Sequence, residues 1–264
     1  MILDTLHYSL GTRPSTGRGY GVSDSILTSE LKGPVASLVF DDAGSSSIND
    51  LLGSVPETDF ERKNLDRLLN DHSEPENWRV GEALAEIFLS ENRGCLFPWP
   101  DGRDERKRGS SLPGADLVGF QNLEGEVRFA FGEVKTSAEN KHPPGATYGR
   151  HGLKKQMEDL RDSETIRCDL VRYLAHRATG ANWLELFKKA SASYLGDPCD
   201  VRIFGLLIRD VAPNEDDLRV RVETLGTDCP NSTIVELTAL YLPENRIASL
   251  ATTLMSSRQE GESS

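Results

Sequence analysis

Apolar and polar residues alternate with period two along 127–135, which places Val127, Phe129, Phe131, Glu133 and Lys135 on one face of a predicted strand. An apolar stripe thus ends in a carboxylate beside an ammonium. A preceding strand over 112–120 repeats the arrangement, with Asp116, Val118 and Phe120 on one side and Leu117 and Gly119 on the other. Gln121 to Gly125 supplies a turn. In a hairpin that opposes Phe120 with Phe129 and Val118 with Phe131, Asp116 falls opposite Glu133. Directly opposed acids repel, and a sheet tolerates them poorly unless a proton or cation sits between them. A divalent metal is the simplest remedy.

The same periodicities divide the rest of the chain. Residues 1 to about 75 are rich in Gly and Ser, with a short strand candidate at Val35 to Phe40 and a glycine-rich stretch at Gly11 to Gly21. That stretch lacks the Lys-Ser/Thr ending of a phosphate loop and reads as a flexible or hairpin loop. Asp41-Asp42 reads as a solvated turn. A helix over Phe60 to Asn70 turns Leu65, Leu68 and Leu69 inward, and Ser73-Glu74-Pro75-Glu76 marks a boundary after it. A stronger helix from about Trp78 carries Val80, Ala83, Leu84, Ile87 and Phe88 on its apolar face and ends at Gly94. Glu82 and Glu86 lie one turn apart on it. As surface residues they need no function, and Glu82 also suits the helix dipole.

Downstream, helices are predicted at about Tyr148 to Leu160, Thr165 to Ala178 and Asn182 to Tyr194, the last with Trp183, Leu186 and Phe187 as core. Strands are predicted at Val201 to Ile208, Leu218 to Leu225 and Thr233 to Leu242, with a closing helix at Asn245 to Met255. The expected fold class is α/β, a mixed sheet flanked by helices. Its expected organisation is an N-terminal extension packed on the core (1–75), a principal domain (76–255) and a disordered tail (256–264) too poor in apolar residues to order itself.

Composition narrows the function classes. The chain has 264 residues, 37% hydrophobic and 27% charged, with no apolar run near the roughly 20 residues that span a bilayer. The N-terminus lacks the basic start and apolar middle of a signal peptide. Its four cysteines are widely spaced and form no Cys-x-x-Cys pair, so neither a zinc site nor a disulfide framework is indicated and a reducing cytoplasm fits. A net charge of −12 speaks against indiscriminate coating of nucleic acid but leaves local patches open. One such patch is clear, because Lys141, His142, Arg150, His151, Lys154 and Lys155 accumulate with no acid between Lys141 and Gln156. On a helix, Arg150 with Lys154 and His151 with Lys155 would share faces, a small like-charge penalty that an anionic ligand would offset. The run Arg103 to Arg108 is either a solvated face or a phosphate contact.

Glu-x-Lys alone arises by chance roughly once in a chain of this length. Its context is more specific: it ends an apolar strand, follows Pro113 and Asp116 on a neighbouring strand, comes after a helix with Glu82 and precedes a basic helix with Gln156. Over about Trp78 to Leu160 this arrangement resembles the PD-(D/E)XK nuclease superfamily, whose core is a mixed sheet flanked by helices. The resemblance implies that Asp116 and Glu133 are the metal-binding acids and Lys135 the catalytic lysine. Glu82 matches the helix acid, a role Glu86 could also take, and Gln156 matches a polar residue on the following helix. Gly114 and Ala115 separate Pro113 from Asp116, a departure from the contiguous Pro-Asp pair.

The implied activity is phosphodiester hydrolysis with Mg²⁺, or alternatively Mn²⁺, held by Asp116, Glu133, the Val134 carbonyl and Glu82, while Arg150, Lys154, Lys155 and Gln156 hold DNA. The Gly81-Glu82 helix, Pro113 to Phe120, Phe129 to Lys135 and a C-terminal strand-helix ending look similar to the HamA nuclease subunits of bacterial Hachiman anti-phage systems. This implies a helicase partner with ATPase activity and a role in antiviral defence. The alternatives are a repair or recombination nuclease of the same superfamily and a non-catalytic nuclease-like module that binds DNA or a partner.

Overall fold

A computed structural model describes residues 1, 5–69, 73–104 and 114–262. Pro113, the first residues of the earlier predicted strand and residues 105–108 of the charged run lie outside them. The chain is α/β: a seven-stranded mixed sheet with helices on both faces. In chain order the elements are β1 (Thr5–Thr12), β2 (Ser15–Gly21), α1 (Asp24–Lys32), α2 (Pro34–Val39), α3 (Asp42–Leu52), α4 (Asp59–Leu69), α5 (Asn77–Arg93) and β3 (Cys95–Leu96). There follow β4 (Leu117–Leu123), β5 (Glu126–Ser137), α6 (Leu153–Asp162), α7 (Glu164–Ala178), α8 (Leu184–Gly196), β6 (Arg202–Arg209), α9 (Arg219–Gly226), β7 (Ile234–Tyr241) and α10 (Leu250–Glu262).

The spatial strand order is β1-β2-β7-β6-β5-β4-β3. β2, β7, β6 and β5 run parallel, and antiparallel neighbours close both edges. Parallel strands covered on both faces should be apolar throughout, and Ile203 to Ile208 of β6 are all buried. α5 packs on one face of the sheet, with α1, α2 and α10 around it. α6, α8 and α9 cover the other face, and α7 packs against them. β5 serves both cores through its alternation: Ala130 and Val134 enter the α5 side, whereas Val127, Phe129 and Phe131 enter the α6–α8 side.

The β4–β5 hairpin has the expected register, with Val118 opposite Phe131 and Phe120 opposite Phe129. Its turn is tighter than expected. β4 continues to Leu123, and Glu124-Gly125 alone reverse the chain, both at positive φ (54° and 88°), as a two-residue hairpin of matching twist requires.

Several elements differ from the sequence reading. Val35 to Phe40 is helical, because Pro34 opens α2 at a position where its missing N–H costs nothing, and Val35, Ala36 and Val39 form one buried face. The glycine-rich stretch forms most of the β1–β2 hairpin, so residues 5–39 are part of the sheet and its core rather than an extension laid on it. Leu218 to Leu225 is helical as well. Its buried residues are Leu218, Arg221, Val222 and Leu225, spaced i, i+3, i+4, i+7, and Arg221 is inside because its guanidinium lies over the Tyr148 ring and donates to Thr147 Oγ1. Asp41 is no solvated turn: it caps α3 through Gly44 N–H and takes two bonds from Arg103. Leu68 faces solvent rather than the core. The expected disordered tail is helical as far as Glu262. Ser256 and Ser257 bond back to the preceding turn, and Arg258 covers Phe40 and pairs with Asp42.

No helix among the described residues is long and apolar enough to cross a membrane.

Candidate active site

β4 begins at Leu117, one residue after Asp116, so past Gly132 the neighbouring edge of β5 is open. Asp116 fills that edge. Its Oδ2 accepts the Val134 N–H at 2.7 Å, extending the ladder by a side chain where the strand has ended. A strand residue directs its N–H and C=O to the same side, so the Val134 carbonyl also projects past the end of β4, alongside Asp116.

Glu133 follows Phe129 and Phe131 on the α6–α8 face and is 1% exposed. Lys135, two residues on, brings Nζ to 3.4 Å from Glu133 Oε2 and 3.8 Å from Asp116 Oδ2. Burial and, after it, the Asp116 charge together drive the Glu133 carboxyl up to about 9, with Lys135 only partly offsetting them. The expected opposition of two acids is therefore present, with a proton on Glu133 as its resolution in the absence of a second cation.

This pair opens into a cavity of about 800 Å³. Arg150, Lys155 and Gln156 line it, as does His151, so four of the basic-segment residues singled out from the sequence meet the carboxylates. They do so differently than predicted. The helix starts at Leu153, so Arg150 and His151 lie in the turn before it and share no helical face with Lys154 and Lys155. Lys154 is not among the lining residues and pairs with Glu158 at 3.6 Å. Lys155 pairs with Asp159 at 2.7 Å on the lip of the cavity. Gln156 Oε1 is buried with no hydrogen-bond partner among the described residues. The opposite wall went unnoticed in the sequence: Ile166, Leu170 and Tyr173 of α7 line the cavity at i, i+4, i+7, a stripe that reads simply as core.

Glu82 sits elsewhere. α5 approaches β5 so closely that a Cβ on Gly81 would stand 2.1 Å from Thr136 Oγ1. The helix thereby carries Glu82 on the sheet face opposite Glu133 and Lys135. Glu82 and Glu86 line a separate, small cavity with Asp116 and Arg79, and Asp116 and Val118 border both spaces.

Among the described residues no group of three or more His, Cys, Asp or Glu converges to hold a metal. The local donor set is two carboxylates and one carbonyl, all hard oxygens. That set fits Mg²⁺, which is commonly bound by one or two carboxylates and completes its shell with waters and substrate phosphate. It does not fit zinc, which takes nitrogen and sulfur ligands in closed sites.

No protein-family model matches the chain, and no curated protein matches it.

Proposed function

We propose that the chain is a Mg²⁺-dependent DNA nuclease of restriction-endonuclease-like fold, resembling the PD-(D/E)XK superfamily. One observation carries this reading: Glu133, almost fully buried, is set against Asp116 and beside Lys135 on a central strand where its neighbour β4 ends, facing a cavity that Arg150 and Lys155 also line. The antiparallel β4–β5 hairpin, followed by helices and a parallel β6, supports the fold assignment.

Mg²⁺ bound there would polarise a phosphodiester oxygen and favour deprotonation of a water. Asp116, Glu133 and the Val134 carbonyl would hold it, and Glu133 must lose its proton to do so. Lys135 then orients the attacking water or stabilises charge developing on the phosphate. Arg150 and Lys155 hold flanking phosphates, and the orphaned Gln156 carbonyl offers an acceptor to a donor on substrate or water. Lys154 would contact only the periphery of a bound strand. Glu82 would act through Asp116, from the far side of the sheet.

The resemblance to Hachiman nuclease subunits supports a role in antiviral defence with a helicase partner. An adjacent helicase gene among defence genes would separate that role from repair or recombination. A second class of reading rests on Lys135, whose ammonium already bridges the two acids: a nuclease-like module that binds DNA or a partner without cutting. The deciding assay is DNA cleavage with Mg²⁺ and with EDTA, with and without a helicase partner, comparing the wild type with Glu133→Ala and Lys135→Ala. Cleavage that survives both substitutions overturns the nuclease reading, and metal-independent binding without cleavage establishes the module.

A further inference from the structure

On the α5 face of the sheet, at the end where β6 and β7 begin, lies a second cavity of about 790 Å³. It is far more cationic than an acidic chain of net charge −12 would suggest. Five arginines line it, beside Glu124, Glu126 and Glu236: Arg13 in the β1–β2 turn, Arg18 on β2, Arg93 at the end of α5, Arg128 on β5 and Arg202 at the start of β6.

Their short-range partners are few. Arg93 bonds Glu236, and Arg18 reaches the same carboxylate only at 3.6 Å. Arg128 and Arg202 share Asp200, and Arg128 also lies 3.7 Å from Glu126. Arg13 and Arg18 donate no hydrogen bond to any described residue. Burial holds the Arg202 guanidinium below its ordinary value, Asp200 opposes that, and Arg128 and Arg13 lower it further. A network built only for stability would match each guanidinium with a close acid. Here three carboxylates, Glu236, Asp200 and Glu126, pair with four arginines and Arg13 stands apart, so the five guanidiniums outnumber the three glutamates that line the cavity with them.

Part of the lining is apolar. Leu123, Phe204 and Ile234 present apolar surface, and Gln121 is tied by its Nε2 to Arg93 O, which leaves its carbonyl oxygen to accept. Guanidinium forks match phosphate oxygens, while an apolar surface with one amide suits a base or sugar. The volume lies in the range of sites that enclose small ligands. We propose that this cavity is a binding site for a phosphorylated nucleotide, free or at a strand end. The site stands on the opposite sheet face from Glu133 and does not depend on the nuclease reading.

The test is calorimetric titration of the full chain in EDTA with pyrophosphate, deoxyadenosine diphosphate and a 5′-phosphorylated tetranucleotide. Two paired variants accompany it, Arg13→Ala/Arg18→Ala and, as a control at exposed positions that line neither cavity, Lys188→Ala/Arg219→Ala. Saturable binding is expected for both nucleotide probes. It should weaken roughly tenfold or more in the first variant and remain unchanged in the second. Tighter binding of the tetranucleotide would identify a strand end as the source of the phosphate, and equal binding a free nucleotide. The Arg13 and Arg18 side chains hold no hydrogen bonds to described residues, and Arg18 reaches Glu236 only at 3.6 Å, so their truncation should leave the circular dichroism spectrum intact. Absence of saturable binding by any probe overturns the proposal, as does binding that survives Arg13→Ala/Arg18→Ala or is abolished by Lys188→Ala/Arg219→Ala.

Discussion

Replacing Glu133 with Gln should stabilise the metal-free protein, and increasingly so as pH rises. The folded state holds the Glu133 proton up to a pKa of about 9, against an ordinary 4.5. Between those values the native chain binds a proton that the unfolded chain has released. Glu133 therefore contributes its full stability below about pH 4.5, and that contribution is lost as pH climbs toward 9. The slope is about 1.4 kcal/mol per pH unit, so raising the pH from 5.5 to 7.5 removes roughly 3 kcal/mol through this one group. For a domain of this size that corresponds to a difference of about 5–10 °C in Tm. Gln keeps the volume and cannot ionise, and Asp116 retains its bonds to Val134 N–H and Lys135. The assay is thermal unfolding of both proteins in EDTA across pH 5.5 to 8.5, with the wild-type minus variant difference isolating Glu133 from all other titrations. A difference that does not change with pH would show Glu133 to be ionised throughout and would refute the burial argument. Mg²⁺ should reverse the order at high pH by stabilising only the wild type, since binding requires the carboxylate.

Four further outcomes follow. Lys135→Ala should lower Mg²⁺-dependent cleavage by roughly a hundredfold or more while leaving the fold intact by circular dichroism, and EDTA should abolish cleavage by the wild type. Asp116→Ala removes the acceptor of the Val134 N–H as well as a carboxylate, so it should lower both Tm, by the equivalent of about 1–3 kcal/mol, and Mg²⁺-induced stabilisation in the same melting assay. Gly81→Ala drives a Cβ into Thr136 Oγ1 and should cost about 1–3 kcal/mol in denaturant unfolding, with recovery in the Gly81→Ala/Thr136→Gly double variant. Asp217→Ala strands the fully buried Arg209, which spans the Ser137, Glu139 and Lys141 carbonyls. A loss of about 3–5 kcal/mol is expected from the same measurement.

What could be read from the sequence, and what could not, follows from where the signal lay. The β4–β5 register was readable because one face of each strand is uniformly aromatic or aliphatic, so a slip of one residue would have turned Phe129 and Phe131 outward. That register alone set Asp116 against Glu133. Readings failed wherever a polar or small residue was inside. Arg221 broke the apolar stripe of α9 and made it look like an alternating strand, although its charge is held by Tyr148 and Thr147. The glycines of β2 masked a strand whose neighbours supply the side chains: Tyr8 covers Gly19, and Val222 covers Gly17. The same limitation separates the two candidate acids beyond the pair. Sequence spacing placed Glu82 on a helix but could not say which face of the sheet that helix would cover, because Val134 and Phe131 offer equally apolar surfaces to either side. Thr136 decides it: α5 needs a residue without a Cβ to reach β5, Gly81 provides one, and the resulting contact commits Glu82 to the face away from Glu133. Asp116, at the strand end where the sheet narrows, is consequently the one acid able to communicate with both. Glu82 meets it in the small cavity that both residues line.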